Sequence, residues 1–317
     1  HRSVGKKRRY ATGAIWCGEG PGSSTCSVAT ENRLSCNCVF GLALPLRPAL
    51  IPEPERIKVP VAPAFGHYRR FFPREAVRHP AKANLHLIER FVELVSSPGD
   101  LVLVPFAGTF STCVVSILMG REAVGVEIEQ EYLGWGLDAS ERVQEESGRS
   151  FHVLRADASM IGNLLRPSSV DAVVTSPPYV LVSLHARDPE RRLERVLRAG
   201  GDPKDFFEGM ARNALRERSH RHDYYSFNRW VALMRDALTG LREALKGGSL
   251  AAFIVRNRIR RGSLLELDSI LASLGLEAGF RVEALYSAPA PKSLWANLLA
   301  RKGLRLPSED RVVVLRC

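Results

Sequence analysis

Between residues 101 and 175 the sequence alternates short apolar runs with longer stretches of helical period, and this alternation restricts the fold more than any other feature. The runs at 101–104, 123–128, 151–154 and 170–175 are largely β-branched and apolar, the composition of strands buried on both faces. Residues 85–94, 111–119 and 129–146 repeat their apolar positions at helical spacing, and Ser97-Pro98-Gly99-Asp100 breaks the first of these before the first strand. Strand and helix alternating at such short intervals predict an α/β fold, a mostly parallel sheet with helices on both faces. Downstream, 227–245 reads as an amphipathic helix stopped by Gly247-Gly248. Strands are predicted at 249–255, 280–286 and 312–315, with a helix at 264–274. The sheet is therefore expected to hold seven strands, the last one antiparallel.

Two stretches stand outside the alternation. Residues 1–56, rich in Gly, Ser, Cys and Pro, read as an irregular or poorly ordered extension, which leaves 57–317 as the main domain. Residues 180–222 form a charged, helical insert carrying Arg187, Arg191, Arg192, Arg195, Arg198, Arg212, Arg216, Arg218 and Arg221, with His220, His222, Tyr224 and Tyr225 near its end. A second basic group, Arg256, Arg258, Arg260 and Arg261, follows the fifth strand. With 45 Lys and Arg against 34 Asp and Glu, the net charge of +11 favours a polyanionic partner, because binding releases counterions from a phosphate backbone. Arginines at such places are expected to hold phosphates. Cys17, Cys26, Cys36 and Cys38 lack paired C-x-x-C spacing, so no metal site and reduced thiols are expected. No apolar run approaches the ~20 residues of a membrane span. The basic cluster Lys6–Arg9 precedes no apolar stretch, so a cytoplasmic protein without a leader is expected.

The residues that carry chemistry lie just past the strands. Thr175-Ser176-Pro177-Pro178-Tyr179 follows the fourth strand, on the edge of a parallel sheet where ligands sit. Two prolines in succession fix φ and lack N–H groups, giving a stiff loop whose carbonyls are free to accept hydrogen bonds. An exocyclic base amine is a poor nucleophile because its lone pair is delocalised into the ring. Acceptors at Ser176 Oγ and the Pro177 carbonyl would favour the pyramidal nitrogen of a transition state, and Tyr179 offers a face for a base drawn out of the stack.

This loop resembles the catalytic motif of the amino-group DNA methyltransferases, in which Ser, Asn or Asp precedes Pro-Pro-Tyr; the Ser form is commonest among N4-cytosine enzymes and does not exclude N6-adenine. The resemblance runs from about Phe72 to the end. It implies a Rossmann-like fold, S-adenosyl-L-methionine as methyl donor, and DNA as partner in preference to RNA. Pro105-Phe106-Ala107-Gly108-Thr109 resembles the family's cofactor loop, whose backbone N–H groups meet a carboxylate at a helix N-terminus. Glu127 would hold the ribose hydroxyls, Asp157 the adenine amino group, and Lys82, in His79-Pro80-Ala81-Lys82, would belong to a segment closing over the methionine end. Two positions depart from the family pattern: Val104 stands where it has Asp, and Phe110 where it has Gly. If these changes impair the loop, the double substitution Val104→Asp with Phe110→Gly is expected to raise activity. Two alternatives remain open: methylation of the N2 group of a tRNA guanine, and a non-catalytic nucleic-acid-binding relative with a degraded cofactor loop.

Overall fold

The computed structural model describes residues 51–60, 66–78, 83–178, 227–260, 263–290 and 309–317. In chain order the elements are β1 (Glu55–Arg56), α1 (Arg74–Arg78), α2 (Leu85–Val95), β2 (Leu101–Pro105), α3 (Ser111–Leu118), β3 (Glu122–Glu127) and α4 (Gln130–Ser147). There follow β4 (His152–Arg155), α5 (Ile161–Leu164), β5 (Val170–Thr175), α6 (Phe227–Ala244), β6 (Leu245–Val255), β7 (Arg258–Arg260), β8 (Ser263–Leu265), α7 (Leu267–Glu277), β9 (Arg281–Pro289) and β10 (Glu309–Arg316).

Local signals account for the boundaries. The side chain of Asn84 accepts a hydrogen bond from the His86 N–H at 3.1 Å and caps α2, whose Leu85, Leu87, Ile88, Phe91, Val92 and Val95 are buried. The turn into β2 closes on the Asp100 carboxylate, which accepts from the Ser97 N–H at 2.7 Å, while Gly99 supplies the left-handed φ of +91°. In β2, Val102 and Val104 pack into one core layer and Leu103 into the other, as a central strand requires.

Among the described residues, eight strands form the main sheet, in the order β1-β9-β10-β6-β5-β2-β3-β4. β2 pairs parallel with both β3 and β5, β3 with β4, and β5 with β6; β10 alone runs antiparallel, between β6 and β9. This is the expected doubly wound, Rossmann-like α/β arrangement with its antiparallel last strand. One strand is added. β1, only two residues long, pairs parallel with β9 at the outer edge and lies within the stretch read as irregular, because two residues carry no period. The segment 66–78 and α2, α3 and α4 cover one face, and α5, α6 and α7 the other.

Gly247 and Gly248 do not stop α6. The helix ends at Ala244 and Leu245 already pairs with Val170, so the two glycines lie inside β6, where the register against β5 shifts and Gly248 takes φ +83°. The small hairpin β7–β8 follows directly and has no counterpart in the sequence periodicity. The Arg-rich insert, Tyr179, and the His79–Lys82 segment with its Lys82 lie outside the described residues, as do Cys17, Cys26, Cys36 and Cys38.

Candidate active site at the switch point of the sheet

From β2 the chain winds one way through β3 and β4, and the other way through β5 and β6. The crevice beyond the carboxyl ends of β2 and β5 is thus the topological switch point. Two of the loops singled out above meet there. The Thr175 hydroxyl, completely buried at the end of β5, donates to the carbonyl of Pro105 at the end of β2. The residue ahead of the Ser-Pro-Pro turn is thereby bonded to the first residue of the Pro105–Thr109 loop.

That loop is tightly wound. Phe106, Gly108 and Phe110 all have left-handed backbones, at φ +58°, +54° and +59°. The Ala107 N–H donates to Val126 O at 3.0 Å, and the Phe110 N–H closes a turn on Ala107 O at 2.8 Å. Gly108, half-buried, carries the crest. A Cβ there would meet nothing nearer than Phe106 O at 3.9 Å, so its left-handed φ, rather than crowding, calls for glycine.

Glu127, at the end of β3, is the electrostatic centre of the loop. Its side chain accepts three backbone N–H bonds: from Gly108 to Oε2 at 2.7 Å, and from Ile128 and Glu129 to Oε1 at 2.8 and 3.0 Å. A carboxylate has about four acceptor sites. Among the described residues three are filled, which leaves one on Oε2 for a ligand hydroxyl rather than a pair of sites. The Gly108 N–H, a candidate donor to the cofactor's carboxylate, is engaged by Glu127. Burial pushes the Glu127 carboxyl above the ordinary glutamate range, against the opposing pull of the three N–H groups. The folded state therefore holds this proton more tightly than the unfolded chain does. Its contribution to stability is full at low pH, falls as pH rises through the ordinary glutamate range to the raised folded value, and is flat above. Glu127→Gln is expected to remove that segment of the pH profile. It also turns an amide N–H toward backbone donors, at a cost of about 1–3 kcal/mol. Urea midpoints for both proteins across the acid range measure both effects.

Asp157, half-buried beyond β4, accepts from the Ser159 N–H at 2.9 Å and so caps the short 3-10 turn at Ala158–Met160. Of the Ser-Pro-Pro turn, Ser176 and Pro178 are half-buried and Pro177 is buried. The Trp230 indole N–H donates to the Pro178 carbonyl at 2.7 Å. No periodic signal announces that contact, since a tryptophan in the first turn of an amphipathic helix reads simply as core.

Both departures from the family pattern prove to be packed positions. Val104 is 2% exposed. Phe110, fully buried, stacks on Phe151 with centroids 5.9 Å apart and points away from the loop crest, into the space left by Gly125 and Gly136. The second basic group is likewise partly committed. Arg256 Nε and Nη2 bond to Oδ1 of the buried Asp310 at 2.8 and 2.6 Å, so this guanidinium is an internal ion pair rather than a phosphate contact. Arg261 lies outside the described residues.

Residues 5–135 match the family model described as DNA methylase, a stretch that includes the Pro105–Thr109 loop and Glu127 and stops short of Ser176. The chain is similar to that family over a stretch shorter than half its length. Among curated proteins similar to this chain, the DNA adenine methyltransferase YhdJ of Escherichia coli is 43% identical over 22% of this chain and 23% of its own length. The Type II methyltransferase M2.DpnII of Streptococcus pneumoniae is 38% identical over 18% of this chain and 22% of its own. The tRNA (guanine(10)-N2)-dimethyltransferase of Methanothermobacter thermautotrophicus is 31% identical over 41% of this chain and 35% of its own. The chain thus aligns with about a fifth to a third of the length of these relatives. Among the described residues, no helix is long and apolar enough to cross a membrane.

Proposed function

We propose that this chain transfers a methyl group from S-adenosyl-L-methionine to an exocyclic amino group of a base in DNA. The observation that carries the reading is the Thr175–Pro105 hydrogen bond, which joins the end of the acceptor strand to the start of the cofactor loop at the switch point of the sheet. The residues present suit the donor. Glu127 keeps one acceptor site for a ribose hydroxyl, Gly108 leaves open space above the loop crest, and Asp157 stands at the next strand end. Pro105, Phe106, Ala107 and Thr109 shape that loop, and Lys82 would hold the methionine end.

When bound, S-adenosyl-L-methionine supplies an electrophilic methyl group. The protein's part is to make the amine nucleophilic. Ser176 Oγ and the Pro177 carbonyl accept its two hydrogens, which localises the lone pair on a pyramidal nitrogen. Tyr179 stacks on the extruded base. The net charge of +11 suits a polyphosphate substrate. Ser at position 176 leans toward N4 of cytosine, whereas the E. coli relative is named for adenine.

The test is transfer of labelled methyl from S-adenosyl-L-methionine to genomic DNA and, separately, to bulk tRNA, followed by nucleoside analysis. N4-methylcytosine or N6-methyladenine in DNA supports the reading and names the base. Label confined to N2-methylguanosine in tRNA would replace it with the reading favoured by the methanogen relative, which aligns over the largest share of this chain of the three. Ser176→Ala is expected to lower turnover on the order of a hundredfold. Calorimetry should find the affinity for S-adenosyl-L-methionine unchanged; a comparable loss of affinity would show that the loop has been misassigned.

A further inference from the structure

The acceptor loop has an unusual problem of support. Pro177 and Pro178 have no N–H, so two successive residues contribute no backbone donor that could tie the loop to the rest of the fold. The turn therefore depends more heavily on carbonyls and side chains. Among the described residues the structure provides two such ties. On the strand side, Thr175 is bonded to Pro105. On the far side, Trp230, in the first turn of α6, donates its indole N–H to the Pro178 carbonyl across 52 residues of chain. Trp230 is wholly buried in the layer formed by Phe227, Val231, Met234, Val173 and Phe253, so its ring has no freedom to leave the bond.

We infer that Trp230 is a positioning residue of the methyl-acceptor site, fixing through its indole N–H the plane of the Pro178 peptide and with it the Ser176 and Pro177 acceptors. The geometry favours this over simple core filling. A core tryptophan needs some partner for its N–H, and here the partner is the one carbonyl that ends the Pro-Pro turn. The inference rests on the assignment of Ser176–Tyr179 as the acceptor loop.

The test removes the N–H, once with a smaller ring and once with the ring's shape kept. Trp230→Phe, and benzothienylalanine introduced at 230 as a shape-matched replacement without the donor, are compared with wild type. Turnover on genomic DNA is expected to fall 10- to 100-fold while the dissociation constant for S-adenosyl-L-methionine stays within about twofold, because only the acceptors are displaced. Amide exchange at residues 174–176 is expected to quicken at least tenfold, with β2 and β3 unchanged. Wild-type turnover and exchange in the benzothienylalanine protein would overturn the inference, as would a parallel loss of donor affinity. Should wild type methylate neither DNA nor RNA, the proposed function fails. The exchange result then decides alone whether the indole bond orders the loop: faster exchange upholds that, and unchanged exchange refutes it.

Discussion

Phe110→Gly is expected to lower the stability of the protein by about 2–4 kcal/mol, although glycine is the residue its backbone favours. Phe110 adopts φ +59°, a conformation that costs a side-chain-bearing residue about 1–2 kcal/mol and glycine almost nothing. Against that gain stands the ring. It is fully buried, and a Cβ added at Gly125 or Gly136 would fall within 2.4 and 2.6 Å of its atoms. Strand β3 and helix α4 have therefore given up their side chains at those two points to admit it. Removing such a ring costs about 3–5 kcal/mol, with roughly 0.5–1 kcal/mol more for the added freedom of glycine in the unfolded chain. The packing loss wins. Chemical unfolding of the variant measures it, and a variant as stable as wild type would show that backbone strain dominates. Gly136→Ala supplies a second reading: harmful in wild type, it should be tolerated once Phe110 is gone.

Val104→Asp should be costlier, at about 3–5 kcal/mol. Val104 is 2% exposed and belongs to the same core layer as Phe110, Val114 and Val174. A carboxylate there must either stay charged without a partner or take up a proton well above its usual range, and both choices oppose folding at neutral pH. Restoring the family's Asp and Gly together therefore lowers stability and with it the amount of active protein. The double variant, assayed for unfolding and for donor affinity, separates this outcome from a gain in activity. Both residues are accounted for by what surrounds them, and donor affinity is the measurement that tests the idea of a degraded loop.

The parts of the fold that were legible are those in which period and burial coincide. β2, β3, β5 and helices α2, α3, α4 and α6 fall within a residue or two of their predicted ends, because each buries a continuous apolar face. The Gly247-Gly248 pair misled for a physical reason. Glycine terminates helices and bulges strands alike, and only the partner strand decides between them. In the site, the order of loops along the chain was readable, as was the place of Glu127 at the end of β3. What was hidden is how that carboxylate is used. Its three backbone donors come from two separate loops, and no linear pattern records that convergence. The same holds for Trp230 and Pro178, for Arg256 and Asp310, and for the inward turn of Phe110, each of which joins residues brought together only by the finished sheet.

The place of β10 sets a schedule for assembly. Although it follows β9 in the chain, it lies between β9 and β6 and runs against both. Until it emerges from the ribosome, β6 shows one bare edge and β9 has no route into the sheet, for its other neighbour is the two-residue β1. The nascent chain thus carries the apolar run of β6 with unpaired amides through the synthesis of some fifty further residues. Such an edge invites pairing between copies. The yield of native protein in a cell should accordingly depend on how quickly translation passes from β6 to β10, a demand that falls on the messenger and the chaperones rather than on the folded molecule.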